Sequence, residues 1–193
     1  HVRIDGIAGT SMGALVGGGY ASGIDAKGRE EFLLGIDWPK VVGGVGRWEK
    51  QPIEQKRGGV TYSNQLDMGL KDGHVVMPPG LMNTSGIDDL LRSYVARSRN
   101  VSNFDQLPIP YRAVAPDMVS GQMVVLGDGD LATAMRASMA IPGAFAPVRL
   151  GDYILNDGGM VRNLPIDVAR KLCADVIIAV NLVTEPVKPE NLQ

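Results

Sequence analysis

The sequence has 193 residues, of which 45% are hydrophobic, a length and composition that fit one domain with a sizeable buried core. Lys and Arg total 19 against 21 Asp and Glu, so the formal net charge is −2, and the absence of any block of like charge argues against a nucleic-acid partner. A single Cys excludes a disulfide within the chain, and no apolar run approaches the ~20 residues that a membrane-spanning helix needs.

The first predicted elements surround the segment GTSMG. The apolar run from Val2 to Ala8 leads into it, and the small-residue stretch ALVGGGYASG follows. This order predicts a strand, a tight turn and a helix. The glycines at 17–19 each cost a helix about 1 kcal/mol relative to alanine, so we expect another element to pack closely against that helix.

The middle of the chain changes character twice. Residues 41–84 are rich in turn dipeptides and poor in periodicity, which predicts long loops. From Ser85 the apolar residues recur at helical spacing, which predicts an amphipathic helix. Two strands are then predicted over 111–118 and 122–127, followed by a helix over 131–140.

The last part of the chain continues the alternation. Strand-like runs flank Gly151-Asp152, which is typical of a tight hairpin. A final helix from Pro165 leads to the apolar run at 176–181, which we interpret as a buried strand. Strands and helices alternate without internal repeats, which indicates an α/β layered fold. We expect one domain over 1–183 and a polar tail over 184–193.

Gly9 to Gly13 match the pattern GxSxG, in which a sharp strand-to-helix turn holds a serine hydroxyl away from neighbouring side chains. Glycines two positions on either side, Gly9 and Gly13, would relieve the crowding of that strained turn. The amide of Met12, at the start of the helix, would point to where negative charge develops. Ser11 is therefore predicted to be an esterase nucleophile. The alternative is a tight turn in which Ser11 only caps a helix.

The sequence favours a carboxylate as the base that would serve Ser11. The two histidines are His1, at the chain start, and His74, in a predicted loop, so a Ser-His-Asp triad is poorly supported. Asp157 heads the one Asp-Gly pair that is followed by a second glycine, and Gly158 and Gly159 would leave open space beside it. On local grounds alone, an Asp that ends a strand in a turn is favoured over a base at Asp157, and Asp117 is the next candidate for the base.

GTSMG early in the chain, DGG late, and RASMAIPGAFAPV between them together resemble the patatin-like phospholipase family. The stretches YRAVAPDMVSGQMVVLGDGDL and NLPIDVARKLCADVIIAVN are similar to the family's middle and closing blocks, so the resemblance covers most of the chain. The sequence is similar to bacterial members of the family, including exported ones. This similarity is compatible with a cytoplasmic location and with export to the cell envelope or exterior.

The resemblance implies a central, mainly parallel sheet flanked by helices, with Ser11 on a nucleophile elbow. It implies a Ser-Asp dyad of Ser11 and Asp157 that hydrolyses acyl esters of phospholipids or other lipids through an acyl-enzyme, with no metal or other cofactor. The loops at 41–84, with Trp38 and Trp48 nearby, are candidates for covering an acyl groove or touching a membrane surface. The alternative is that these two tryptophans are partly buried in a loop-rich region.

One departure from the family concerns the oxyanion hole. The family carries a glycine-rich loop before the nucleophile that supplies most oxyanion donors, and this sequence begins too late to contain it. Gly17 to Gly19 cannot replace the loop because they follow Ser11 along the helix. We expect an amino-terminally incomplete catalytic domain. The alternative is a catalytically crippled domain that binds lipid or acts as a scaffold.

Two other serine hydrolase classes fit the sequence less well. A subtilisin-like protease needs Asp and His before the serine, and only ten residues precede Ser11. An α/β-hydrolase lipase needs a late histidine, and none follows His74. The sequence therefore favours a lipid acyl hydrolase.

Overall fold

The computed structural model describes residues 2–37, 84–172 and 175–182, together with the backbone of 69–71 and 74–76. The described helices are α1 (Met12–Ala21), α2 (Ala26–Leu34), α3 (Ser85–Tyr94), α4 (Leu131–Ser138) and α5 (Ile166–Arg170). The strands are β1 (Ile7–Thr10), β2 (Gly69–Lys71), β3 (His74–Val76), β4 (Tyr111–Pro116), β5 (Met123–Leu126), β6 (Val148–Leu150) and β7 (Tyr153–Leu155). Short 3-10 helices cover Ala96–Ser98, Phe104–Gln106 and Gly158–Met160.

The largest described sheet has the strand order β1-β4-β5. β1 runs parallel to β4, with Ile7 opposite Tyr111 and Thr10 opposite Val114, whereas β5 is antiparallel to β4. β6 and β7 form a separate antiparallel hairpin, as do β2 and β3. Helices and strands together make an α/β fold, as predicted. Because one of the two described pairings in the large sheet is antiparallel, a mainly parallel sheet stays a prediction.

Helix α1 packs tightly through its glycines. A Cβ atom on Gly17 would lie 2.8 Å from Ile7 Cγ2 of β1, and one on Gly18 would lie 2.8 Å from Met135 Sδ of α4. A Cβ on Gly19 would overlap the Tyr94 hydroxyl of α3. The expectation that another element approaches these glycines closely is confirmed, since strand and helix side chains fill the space that alanines would need.

The hydrophobic core lies between the sheet and helices α1, α3 and α4. Leu15 of α1, Tyr111 of β4 and Met135 of α4 are fully buried in it. Tyr111 also donates its hydroxyl proton to the carbonyl oxygen of Ala14 over 2.9 Å, which satisfies the one polar group of that side chain. This bond ties β4 to the start of α1, and so fixes the helix that follows Ser11.

Several sequence predictions are confirmed by these bounds: the helix from Ser85, the strands within 111–118 and 122–127, the helix from 131, and the hairpin around Gly151-Asp152. The predicted loops at 41–84 are corrected at one point, because residues 69–71 and 74–76, including the backbone of His74, form a hairpin. His1, Trp38, Trp48 and the predicted tail at 184–193 lie outside the described residues.

The predicted buried strand at 176–181 is wrong. Residues 175–182 form no strand, and Val176, Ile178, Val180 and Leu182 are 64–82% exposed. An apolar run becomes a buried strand only where a neighbouring strand satisfies its backbone groups, and periodicity carries no information about that neighbour. Among the described residues, no helix has the length and apolar character needed to cross a bilayer.

Candidate active site

Ser11 occupies the single turn residue between β1 and α1. Its backbone has φ 53° and ψ −119°, and among the described residues it is the only non-glycine with a positive φ. Such a conformation is costly for a residue with a side chain and persists only where the surrounding structure enforces it. The turn places the Ser11 hydroxyl at the carboxyl end of β1 and at the amino end of α1.

The two glycines of the GxSxG segment differ in what they contact. A Cβ atom on Gly9 would overlap the carbonyl oxygen of Gly13, so the turn requires glycine at position 9. A Cβ atom on Gly13 would meet nothing within 4 Å among the described residues. Crowding within the chain therefore accounts for Gly9 but gives no reason for Gly13, which borders open space beside Ser11.

Asp157 lies just after β7 and caps the 3-10 helix Gly158–Met160. Ser11 Oγ donates to Asp157 Oδ2 over 2.6 Å, a distance typical of a hydroxyl bonded to a carboxylate. The other carboxylate oxygen, Oδ1, accepts from the Gly159 amide at 2.8 Å, and the Asp157 amide donates to the Ala140 carbonyl. Asp157 as a whole is only 8% exposed. These contacts hold its carboxylate in place, with Oδ2 facing the Ser11 hydroxyl.

The two glycines after Asp157 serve packing. A Cβ on Gly158 would overlap the carbonyl oxygen of Val114 in β4 and would lie 2.8 Å from Thr10 Cγ2. A Cβ on Gly159 would lie 2.8 Å from Asp157 Oδ1, the oxygen that its own amide contacts. The sequence suggested open space beside Asp157. The structure instead fills that space with β4, and the glycines let the carboxylate come close to the sheet.

The Met12 amide is the first backbone N–H of the ten-residue helix α1. The amides of Ala14 and Leu15 donate to the Ser11 carbonyl, whereas the Met12 N–H has no hydrogen-bond partner within the described residues. Free amides at a helix amino terminus carry partial positive charge. The Met12 N–H can therefore donate to an oxygen that gains negative charge next to Ser11.

The carboxylate of Asp117, the second candidate for the base, accepts hydrogen bonds from the turn that follows it and from β7. Its Oδ2 accepts from the Ser120 hydroxyl at 2.7 Å and from the Ser120 amide, and its Oδ1 accepts from the amides of Ile154 and Val119. These hydrogen bonds, that of the Ser120 hydroxyl first, lower the pKa of Asp117 to about 2. A carboxylate so bonded organises the turn and is a poor proton acceptor. For His74 only the backbone is described.

Ser138, at the last residue of α4, was not singled out from the sequence. Its Oγ accepts from the Ser11 amide over 2.9 Å and donates to the Val114 carbonyl over 2.6 Å, and the side chain is fully buried. Ser138 belongs to the run RASMAIPGAFAPV, which carried part of the family resemblance. That membership was the only available signal, because Ser138 and Ser11 are 127 positions apart in the chain.

The family model for patatin-like phospholipases matches residues 2–170. The chain belongs to the patatin-like phospholipase family. Both Ser11 and Asp157 lie inside the matched region of this patatin-like domain.

The similar proteins include two uncharacterized NTE family proteins of Mycobacterium tuberculosis. One is 35% identical over 179 residues, which cover 93% of this chain and 41% of that protein. The other is 28% identical over 189 residues, which cover 94% of this chain and 26% of that protein. Mouse patatin-like phospholipase domain-containing protein 7 is 39% identical over 80 residues, 40% of this chain and 6% of that protein. The chain thus spans less than half the length of these relatives.

A cavity of about 270 Å³ in the patatin-like domain lies between α3, α4 and the segment before β6, and neither Ser11 nor Asp157 lines it. Arg136, which is almost fully buried, places Nε 3.3 Å from Asp88 Oδ1 there. Burial raises the pKa of Asp88 and lowers that of Arg136, and each charge partly offsets the shift of the other. Within the described residues, no group of three or more His, Cys, Asp or Glu side chains is placed to hold a metal ion.

Proposed function

We propose that this patatin-like domain is a serine lipid acyl hydrolase, a phospholipase A or lipid esterase, in which Ser11 and Asp157 act as a dyad through an acyl-enzyme. The observation that carries the proposal is the 2.6 Å hydrogen bond from Ser11 Oγ to Asp157 Oδ2, made by a serine at φ 53° between a strand and a helix. This strand-turn-helix arrangement supports the assignment of a nucleophile elbow.

The first half of the reaction forms the acyl-enzyme. Asp157 Oδ2 accepts the Ser11 proton while Ser11 Oγ bonds to the carbonyl carbon of the ester. The carbonyl oxygen takes up the negative charge, and the Met12 N–H donates to it. When the carbonyl re-forms, the bond to the alcohol breaks and the leaving oxygen takes the proton from Asp157.

The second half releases the fatty acid. Water attacks the acyl carbon of the ester on Ser11 and passes a proton to Asp157 as its oxygen bonds. The second tetrahedral intermediate collapses by breaking the bond to Ser11 Oγ, which regains the proton from Asp157. No net proton or electron is left on the protein, so the dyad is ready for another turnover.

The side chains near the dyad suit an apolar acyl group. Met12 follows Ser11 directly, Met160 ends the 3-10 helix that Asp157 caps, and Ile141 follows the residue whose carbonyl accepts from Asp157. All three are exposed, Met160 by 65%. Large apolar side chains that are exposed on the segments carrying the dyad favour a lipid substrate presented at a surface, and they support contact with a membrane there.

Labelling with a fluorophosphonate probe tests the proposal in the full-length protein. We expect the wild type to be labelled and Ser11→Ala to stay unlabelled. Ser93→Ala, which removes an exposed hydroxyl on α3, is the matched control and should label at the wild-type rate. Hydrolysis of p-nitrophenyl decanoate should exceed that of the butyrate ester in kcat/KM. A folded wild type that takes up no probe would instead indicate a non-catalytic lipid-binding or scaffold domain.

A further inference from the structure

We propose that Ser138 is a positioning residue that holds the Ser11 backbone in its reactive conformation. The inference rests on the proposed hydrolase function and adds to it a residue outside the dyad. Ser138 touches neither carboxylate oxygen of Asp157, and its side chain is fully buried, so it acts on the reaction only through Ser11.

The hydroxyl of Ser138 makes two hydrogen bonds with fixed directions. It has one proton, and the 2.6 Å bond to the Val114 carbonyl uses it. A lone pair of the same oxygen is then free to accept from the Ser11 amide at 2.9 Å. Because the exposed fraction of Ser138 is 0%, both bonds are shielded from bulk water in the folded protein.

The position of this bridge explains why the turn needs it. The paired register of β1 and β4 ends at Thr10 and Val114, so Ser11 is the first residue beyond the ladder. Its amide loses a strand partner at the point where its backbone takes the positive φ of 53°. Ser138 supplies an acceptor for that amide from a third element, α4, and so stabilises a conformation that a serine otherwise avoids.

The Val114 carbonyl links the bridge to the other half of the dyad. The Ser138 hydroxyl bonds to this oxygen, and Gly158, next to Asp157, packs so closely against it that a Cβ would overlap. The backbone segments that carry Ser11 and Asp157 therefore both contact the same carbonyl of β4, the first through the Ser138 hydroxyl and the second through Gly158. Removing the Ser138 hydroxyl releases the Ser11 side of this arrangement and leaves the Asp157 side in place.

The experiment compares three substitutions of Ser138 in the full-length protein, with Ser22→Ala as matched control. Ser22 is also buried and donates to a backbone carbonyl, that of Gly19, without contacting Ser11. For each variant we would measure the melting temperature, kcat and KM for a p-nitrophenyl ester, and the rate constant of fluorophosphonate labelling. Labelling reports the reactivity of Ser11 directly and does not depend on lipid binding.

We expect Ser138→Ala to lower kcat and the labelling rate constant by about 10–100-fold, since small misplacements of a reacting group have effects of this size, with KM changed less than twofold. Ser138→Thr, which keeps the hydroxyl, should recover most of the loss. Ser138→Cys, whose sulfur is a weaker acceptor, should lie between the two. Ser22→Ala should keep the wild-type rates even if its melting temperature falls.

Two results would overturn the inference while leaving the proposed function in place. One is a folded Ser138→Ala, or a folded Ser138→Cys if the alanine variant does not fold, that labels as fast as the wild type. The other is a loss of rate in Ser22→Ala equal to that in Ser138→Ala at equal loss of stability. A wild type that is itself unlabelled overturns the proposed function and this inference with it, so the two failures are distinguishable.

Discussion

Ser11 Oγ lies 2.6 Å from Asp157 Oδ2, although 146 positions separate the two residues in the chain. Strand β4 brings them together. β1, which Ser11 follows directly, pairs with β4 in parallel and its last residue lies opposite Val114, and the amide of Asn156, next to Asp157, donates to the Pro116 carbonyl at the same, carboxyl end of β4. A change in the β4 backbone would therefore alter the dyad distance without touching either residue.

Replacing the carboxylate of Asp157 should abolish turnover while the fold remains. Asp157→Asn keeps the size of the side chain but cannot accept the Ser11 proton, so we expect kcat for ester hydrolysis to fall by at least about 100-fold. The melting temperature should change little compared with this loss. Steady-state kinetics and thermal unfolding, followed by circular dichroism, provide the measurement.

Asp128→Asn is the matched control for this prediction. Asp128 also precedes a glycine, but it is exposed and makes no contact with Ser11. The control should keep wild-type kinetics. If Asp157→Asn retained near-wild-type hydrolysis with a cooperative melting transition, Asp157 would not be the base.

The two glycines of the GxSxG segment should respond in opposite ways to alanine. Gly9→Ala places a Cβ against the Gly13 carbonyl, and we expect it to lower the free energy of unfolding by about 1–3 kcal/mol. Gly13→Ala meets nothing within 4 Å inside a helix, and should raise the same quantity by about 0.5–1 kcal/mol. Urea denaturation of both variants measures the difference. Equal destabilisation by the two substitutions would contradict the packing described for Gly9.

Removing one partner of the Asp88–Arg136 ion pair should lower the free energy of unfolding more than removing both partners. Asp88→Ala leaves the buried guanidinium of Arg136 without its carboxylate, so we expect a loss of about 1–3 kcal/mol in the free energy of unfolding. In the double variant Asp88→Ala/Arg136→Met the buried charge is also gone, and at least half of that loss should be recovered. Urea denaturation of the single and double variants tests this. A double variant less stable than the single one would contradict this expectation.

Asp117 should make the stability of the domain depend on pH in the acid range. Its pKa in the folded protein is about 2, against an ordinary value of 3.8. A lowered pKa means that the ionised side chain stabilises the fold above pH ~4, and that this contribution is lost as the pH falls toward 2. Asp117→Asn should therefore melt below the wild type at pH 6, with the difference shrinking by pH 2. A difference that stays constant over this range would refute the role of the ionised carboxylate.

The local elements near the site could be predicted because their signals are local. The apolar run before Ser11, the small residues after it and the periodic residues from Ser85 each report a strand or helix within a few positions. The run at 176–181 carries an equally strong local signal, and the prediction from it was wrong. Its side chains are exposed because no described strand lies beside it, which a periodic pattern cannot report.

The sequence by itself determined a reactive-serine pattern at 9–13 and a carboxylate beside glycines at 157–159. The shortage of histidine in the chain then indicated that this carboxylate serves the serine as its base. Only the tertiary structure decided that Ser11 and Asp157 meet, that Asp117 is held by its own turn, and that Ser138 holds the Ser11 amide. The reason is physical: propensity and periodicity act over a few residues, whereas a hydrogen bond of 2.6–2.9 Å between residues more than 100 positions apart depends on the path of every strand and helix between them.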